Sequence, residues 1–382
     1  MIGAGGVPIA RLFGIEIRVS LTWAVLVAIV TILGAQQAAF TAPGLPVAGQ
    51  WLIGVAIAFG FLVSVIAHEL AHALVGRRYG VDQRSITLGF VGGLAPLTIQ
   101  APNARAELAI ALAGPVLSLI AGAVLVGGGV LAGILAPGVG ALASSLIVLG
   151  ALNVILGVIS LLPGMPLDGG RVIRALAWAR TGDRDRASAV TARVGRLLGF
   201  AVMGVGIAMA LADLTTEGLL VVALGWLLTT GARTLDRRLA LERLLRGVTV
   251  REAMQADPPF VGPNLTVDTF ASRYEGPEGV SAMPVVDEDR VLGIVSRRRL
   301  QRLGRRRFGS TRAADVMAAP PQAPVLSPDD PLWDALDMMN TGGIDGLAVA
   351  AEGRLAGMLT RDSVSAAVRE RAAAEAAGAS AR

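Results

Sequence analysis

Cysteine and lysine are both absent from this 382-residue chain, and histidine occurs only twice. Without cysteine there is no disulfide, no thiolate nucleophile and no sulfur ligand, so any transition-metal site must be built from histidine and carboxylate. Charge is scarce as well. Charged residues make up 16% of the chain and apolar ones 53%, against roughly 25% charge in soluble domains, which excludes a fully soluble enzyme. All 34 basic residues are Arg, so the high isoelectric point reflects guanidinium groups that do not lose their proton. The net charge of +5 is small for this length, and no nucleic-acid partner follows from it.

The remaining charge is distributed unevenly. No ionisable side chain occurs between Arg18 and His68, and Asp168 alone occurs between Glu107 and Arg171. A helix needs about 20 apolar residues to cross a bilayer, and on that measure six spans are expected near residues 17–36, 50–76, 106–134, 140–162, 188–212 and 216–234. Arg193 and Arg196 delay the fifth, because long cationic side chains belong near an interface. Arg accumulates before the first span, between the second and third, between the fourth and fifth, and after the sixth. The three other connections hold none, so both ends of the bundle are expected in the cytoplasm. A cleaved signal over residues 1–38, with Ala35 to Ala38 as its small-residue site, is the competing reading, but the uncharged run outlasts the apolar stretch of such signals.

From about residue 246 the texture becomes charged and Pro-punctuated, as in a separate soluble α/β domain with an internal repeat. Thr249-Val-Arg-Glu-Ala-Met254 returns as Thr311-Arg-Ala-Ala-Asp-Val-Met317, and Val291-Leu-Gly-Ile-Val-Ser296 returns as Leu355-Ala-Gly-Met-Leu-Thr360. The expected organisation is a membrane domain over 1–240, repeats over 246–308 and 309–370, and a tail over 371–382 that frays or is disordered.

Both histidines lie in Ala67-His68-Glu69-Leu70-Ala71-His72, near the end of the second span. Positions four apart share a helix face, so both imidazoles can reach one ion with Glu69 beside it, the arrangement zinc hydrolysis uses. Burying these groups in a membrane span is costly unless a cation compensates. The third ligand should then also be an intramembrane outlier, and Asp168 is one. It sits in Leu161-Leu-Pro-Gly-Met-Pro-Leu-Asp-Gly-Gly170, where Pro and Gly break the helix and a short side chain can turn inward. Its other reading is an N-cap for the helix that carries Arg171 and Arg174. With His68, His72 and Asp168 as ligands, a zinc ion keeps one open position for water, and Glu69 is suited to take that water's proton. Residues 81–100 alternate around Gly92-Gly93 and read as a β-hairpin.

These residues resemble the site-2 protease group of intramembrane zinc metalloproteases, in the branch with C-terminal paired CBS domains. The likeness rests on His68-Glu69-Leu-Ala-His72, Gly92-Gly93, Ala113-Gly114-Pro115 and Leu161-Leu162-Pro163 through Pro166-Leu167-Asp168-Gly169-Gly170-Arg171. It implies a polytopic α-helical membrane protein of about six spans, with a membrane-surface hairpin and a soluble CBS pair. It also implies one zinc per chain on His68, His72 and Asp168, Glu69 as catalytic base, and cleavage of transmembrane segments of other proteins, an anti-sigma-factor-like regulator among them. The hairpin edge would pair with the unwound substrate.

Ser160 and Ser118 stand where the family often has Asn, so substrate positioning falls to them, to Gly92 and Gly93, or to Asn153. In nucleotide-binding CBS repeats an Asp holds the ribose; Arg299 and Ser363 occupy those positions here, and weak adenine-nucleotide binding is expected. The Arg run over 297–307 suits phosphates, lipid headgroups or plain solvation. All-Arg usage with abundant Ala and Gly points to a GC-rich bacterial genome and to the plasma membrane. The oligomeric state is open, a dimer included. A non-proteolytic metal-binding scaffold or a CBS-regulated transporter is the alternative, and Glu69 argues against it because neither needs a base beside its ligands.

Overall fold

A computed structural model of the chain describes residues 6–380, apart from 84, 90–91, 94–100, 270–281, 304, 321 and 343. It divides into two compact units, Met1–Leu239 and Ala240–Arg382.

Six helices, the last of which runs past Leu239, are long and apolar enough to cross a membrane. They are α1 (Thr22–Thr41), α2 (Val47–Arg78), α3 (Ala104–Leu135), α4 (Gly140–Ser160), and, after the short α5 (Asp168–Thr181), α6 (Arg184–Leu211) and α7 (Thr215–Leu244). The first begins five residues later than the sequence reading placed it, because the alternating Ile15-Glu16-Ile17-Arg18-Val19 is a strand.

That strand belongs to a four-stranded sheet. The strands β1 (Val7–Leu12) and β2 (Ile15–Val19) form an antiparallel hairpin turned by Phe13 and Gly14 at φ 50° and 77°, the left-handed pair such a tight turn demands. Strand β3 (Ser85–Gly89) runs parallel to β2, with Ile17 opposite Ile86, and β4 (Gly92–Gly93) is antiparallel to β3. The expected hairpin is therefore one part of a larger sheet. Gly92 and Gly93, expected at its turn, are strand residues opposite Gly89 and Leu88; pairing along β3 overrides the local turn preference of glycine. The expected return strand at Leu97–Ile99 lies outside the described residues. Ile15, Ile17, Ile86 and Leu88 form the sheet's buried face, packed with Trp23 of α1 and Val65, Leu70 and Ala73 of α2. Each such burial contributes about 1.5–3 kcal/mol, and together they seat the sheet on the stretch of α2 that carries the histidines.

Glycines at seven-residue spacing let the long helices approach closely. On α3 and α4, a Cβ on Gly122 would lie 2.9 Å from the Gly150 carbonyl oxygen, and one on Gly150 would lie 2.8 Å from that of Gly122. Gly199 with Gly225, and Gly206 with Gly218, do the same for α6 and α7. Where lipid supplies no hydrophobic drive, this backbone proximity is what holds helices together. Asn153 adds a polar tie, donating from Nδ2 to Ser64 Oγ of α2 at 3.0 Å and to the Leu149 carbonyl at 2.8 Å.

The second unit repeats one motif. Strands β6 (Ala282–Asp287) and β7 (Arg290–Ser296) form a hairpin matched by β8 (Gly346–Ala351) and β9 (Arg354–Thr360), each with a register shift at the same place, Val285/Val286 and Val349/Ala350. Both turns carry a glutamate at positive φ, Glu288 and Glu352. A short strand β5 (Gln255–Ala256) joins the same sheet beside β9. Each repeat opens on a four-residue helix, Val250–Ala253 and Ala313–Val316, closed by a carboxylate that accepts the N-cap N–H: Glu252 from Thr249 and Asp315 from Arg312, both at 3.0 Å. Thr249 thus corresponds to Arg312, one residue along from the Thr311 that the sequence repeat suggested. The Thr249 N–H, with Arg371, holds the Glu252 carboxyl below its ordinary pKa.

Candidate metal centre

Helix α2 places His68 and His72 one turn apart, and both are buried. A break over residues 161–167 follows α4, and Asp168 is the first residue of α5. Gly169 and Gly170 permit this, since a Cβ on either would overlap the backbone of residues 161–165. The N-cap of α5 is Leu167, with no side-chain cap bond; the Asp168 carboxylate faces the imidazoles instead.

Three donor atoms converge there. Asp168 Oδ2 lies 3.3 Å from His68 Nε2 and 3.2 Å from His72 Nε2, and the two Nε2 atoms are 3.2 Å apart. Donors bound to tetrahedral zinc at roughly 2.0–2.1 Å stand about 3.3 Å from one another, so the triangle has the edge length the ion requires. Among the described residues this is the group of His and carboxylate side chains gathered closely enough to hold a metal.

The outer nitrogens are fixed by α3. His72 Nδ1 donates to the Ile110 carbonyl oxygen at 2.6 Å, which leaves its Nε2 lone pair facing inward. His68 Nδ1 pairs with Ser118 Oγ at 2.9 Å. Gly114, between them on α3, lies in front of both imidazoles: an added Cβ would collide with His72 Nε2 and His68 Nε2 together. Only hydrogen leaves room for an ion there.

Glu69 is half-buried beside His68. Ser118 Oγ is hydrogen-bonded to His68, a ligand candidate. Ser160 donates to its own helix at Gly157, 3.0 Å away, and Asn153 ties α4 to α2. Gly92 and Gly93 lie in β4. The sequence reading did not anticipate the Ile110 carbonyl, which as a backbone group leaves no trace in residue identity, or the cradle at Gly114. A signal for the latter existed: Ile110, Gly114 and Ser118 recur every four residues and so share one face of α3.

Six helices long and apolar enough to cross a membrane, with a donor triangle carried by α2 and α5 that could hold a metal, define a polytopic membrane protein with a candidate metal centre. Peptidase family M50 matches residues 56–136 and 131–202, and the CBS domain matches 250–305 and 313–370. The chain is 34% identical over 361 residues to a Mycobacterium tuberculosis protein named "Putative zinc metalloprotease Rip3", covering 94% of this chain and 91% of the relative. It is 27% identical over 308 residues to "Zinc metalloprotease MJ0392" of Methanocaldococcus jannaschii, covering 79% and 81%. The solved site-2 protease from Methanocaldococcus jannaschii overlaps 60% of this chain and 94% of its own length, at 26% identity and a TM-score of 0.41. The chain belongs to peptidase family M50, is a metalloprotease, and carries a C-terminal CBS pair. Zinc is the metal this kinship implies.

Proposed function

We propose that the chain is an intramembrane zinc endopeptidase that cuts transmembrane segments of other proteins, with one zinc per chain on His68, His72 and Asp168. The observation that carries this is the donor triangle, whose edges of 3.2 to 3.3 Å suit a tetrahedral ion. Zinc, when bound, supplies a Lewis acid that polarises the scissile carbonyl and lowers the pKa of water toward ~7. Glu69 takes a proton from the attacking water as its oxygen bonds to the carbonyl carbon. It then gives the proton to the leaving amide nitrogen as the C–N bond breaks. The imidazoles stay oriented because Ile110 and Ser118 hold their outer nitrogens.

A helical substrate hides its carbonyls in its own hydrogen bonds, so it must unwind to be cut. The sheet seated on α2 offers an edge along which an extended peptide can pair, and β4 forms one edge among the described strands. An anti-sigma-factor-like membrane regulator is the substrate class this reading favours. Cells carrying Glu69→Gln are expected to accumulate full-length substrates in their membranes; membrane proteomes indistinguishable from wild type would contradict the function.

Arg asymmetry supports a bacterial plasma-membrane protein with both termini in the cytoplasm. Reporter fusions after residue 40, 138 or 214 are expected to read extracytoplasmic, and fusions after 85, 185 or 250 cytoplasmic. A cytoplasmic signal from 138 would break the arrangement.

The CBS pair modulates cleavage in this reading and supplies no group to it. Arg299 donates to the carbonyl oxygen of Met317 at 3.0 Å and to Gln322 Oε1 at 2.7 Å, and Ser363 is turned to its own backbone at Thr360. Neither offers a ribose a free carboxylate. Titration of ATP or AMP into the purified full-length chain is expected to give a Kd of about 1 mM or weaker, near −4 kcal/mol. Micromolar binding would instead make the pair a nucleotide sensor.

A further inference from the structure

Helix α3 carries a second constellation that the hydrolytic chemistry leaves unused. Glu107, in its first turn, is fully buried, and its Oε1 accepts from Arg171 Nε at 3.1 Å and from Arg174 Nη2 at 2.5 Å. Among the described residues its Oε2 has no hydrogen-bond partner, nor has Arg174 Nε, and both bonds of the carboxylate go to α5. Both arginines lie in the first two turns of that helix, three and six residues after Asp168. Cations near the positive end of a helix dipole, in so apolar a setting, are unfavourable unless an anion compensates. Glu107 is that anion.

The geometry joins this cluster to the metal centre. Glu107, Gly114 and Ser118 lie seven and eleven residues along one stripe of α3, a rise of about 16 Å. Along that stripe α3 grips α5 at Glu107, holds His72 through the Ile110 carbonyl, accommodates both imidazoles at Gly114, and holds His68 at Ser118. Both histidines and the helix that begins with Asp168 are therefore referenced to one helix, α3.

We propose that Glu107, Arg171 and Arg174 form a positioning clamp that docks α5 on α3 and so sets Asp168 at the distance needed to complete the donor triangle. This rests on reading His68, His72 and Asp168 as a metal site. The three residues touch neither substrate nor ion; they act through Asp168. The two imidazoles are carried by α2 and held at their outer nitrogens by α3, so loss of the clamp loosens the carboxylate donor first.

The test is titration of Co2+ into the purified full-length chain in detergent, read by its visible absorption, which reports donor number and geometry. Wild type is expected to give the intense bands of a four-coordinate site. Glu107→Gln should remain helical by circular dichroism, bind Co2+ about 10- to 100-fold more weakly, as removal of a supporting partner does, and give weakened, shifted bands. Arg171→Gln, which leaves the Glu107 pair with Arg174 in place, should move both readouts in the same direction and carries the test if Glu107→Gln does not fold. Asp236→Asn, which breaks the separate ion pair with Arg196 between α6 and α7, should leave affinity and spectrum unchanged and so separates positioning from general loss of helix packing. Wild-type affinity and bands in a folded Glu107→Gln or Arg171→Gln would overturn the clamp alone. A wild-type chain that binds no Co2+, with His68→Ala making no difference, would overturn the metal-site reading and the clamp with it.

Discussion

Glu69→Gln is expected to abolish cleavage while leaving metal occupancy at the wild-type level. A positioned acid–base group contributes about 10²- to 10⁴-fold to a rate, and an amide of the same shape cannot accept the proton from water. The donor triangle is formed by His68, His72 and Asp168 without Glu69, so nothing that holds the ion is removed. The separation of the two readouts is the informative part. A substitution that lost metal as well as activity would make Glu69 a ligand, and one that cleaved at near wild-type rate would move the base elsewhere. Purified chain, a transmembrane peptide substrate and metal analysis of the same preparation measure both.

The second large effect concerns a residue with no functional group. Gly114→Ala adds one methyl, and that methyl would collide with Nε2 of both His68 and His72. Elsewhere in a helix this change would be favourable by roughly 1 kcal/mol, since alanine is the better helix former. Here the helix gains and the site loses. The imidazoles must rotate away, which breaks their bonds to Ile110 and Ser118, or else the methyl occupies the space meant for the ion. We expect the variant to keep wild-type helical content by circular dichroism yet bind zinc at least about 100-fold more weakly, since each lost orienting bond costs about 10-fold or more and the methyl fills space beside the donors. Gly127→Ala on the same helix, where an added Cβ has no atom of the described residues within 4 Å, is the matched control. Equal zinc affinity in the two variants would show that Gly114 is not a cradle.

The legible and illegible parts of this protein divide along a physical line. Apolar runs of about 20 residues fit a helix across lipid, so six spanning helices are legible from apolar length together with the placement of Arg, and a lone Asp168 amid apolar residues marks itself as compensated by something. The pairing of His68 with His72 was equally plain, because helical spacing is fixed. What escaped was tertiary. The expected first span, from residue 17, takes in the last three residues of the strand Ile15–Val19, because the strand's alternation is short and sits directly beside an apolar run. The roles of Ile110, Gly114 and Glu107 depend on which helix faces which, and sequence spacing does not state that. The seven-residue glycine spacing on α3, α4, α6 and α7 is the cue that would have paired those helices in advance. Gly92 and Gly93 show the opposite failing, in which a strong local turn preference gave way to pairing with β3.

The central claim is that His68, His72 and Asp168 together hold a single zinc ion. Elemental analysis of the purified full-length chain, compared with His68→Ala, His72→Ala and Asp168→Ala prepared identically, tests it most directly. The account predicts about one zinc per wild-type chain and strongly reduced zinc in each of the three variants at unchanged helical content. Full zinc occupancy in folded Asp168→Ala, or a wild-type chain that takes up none when zinc is supplied, would contradict it.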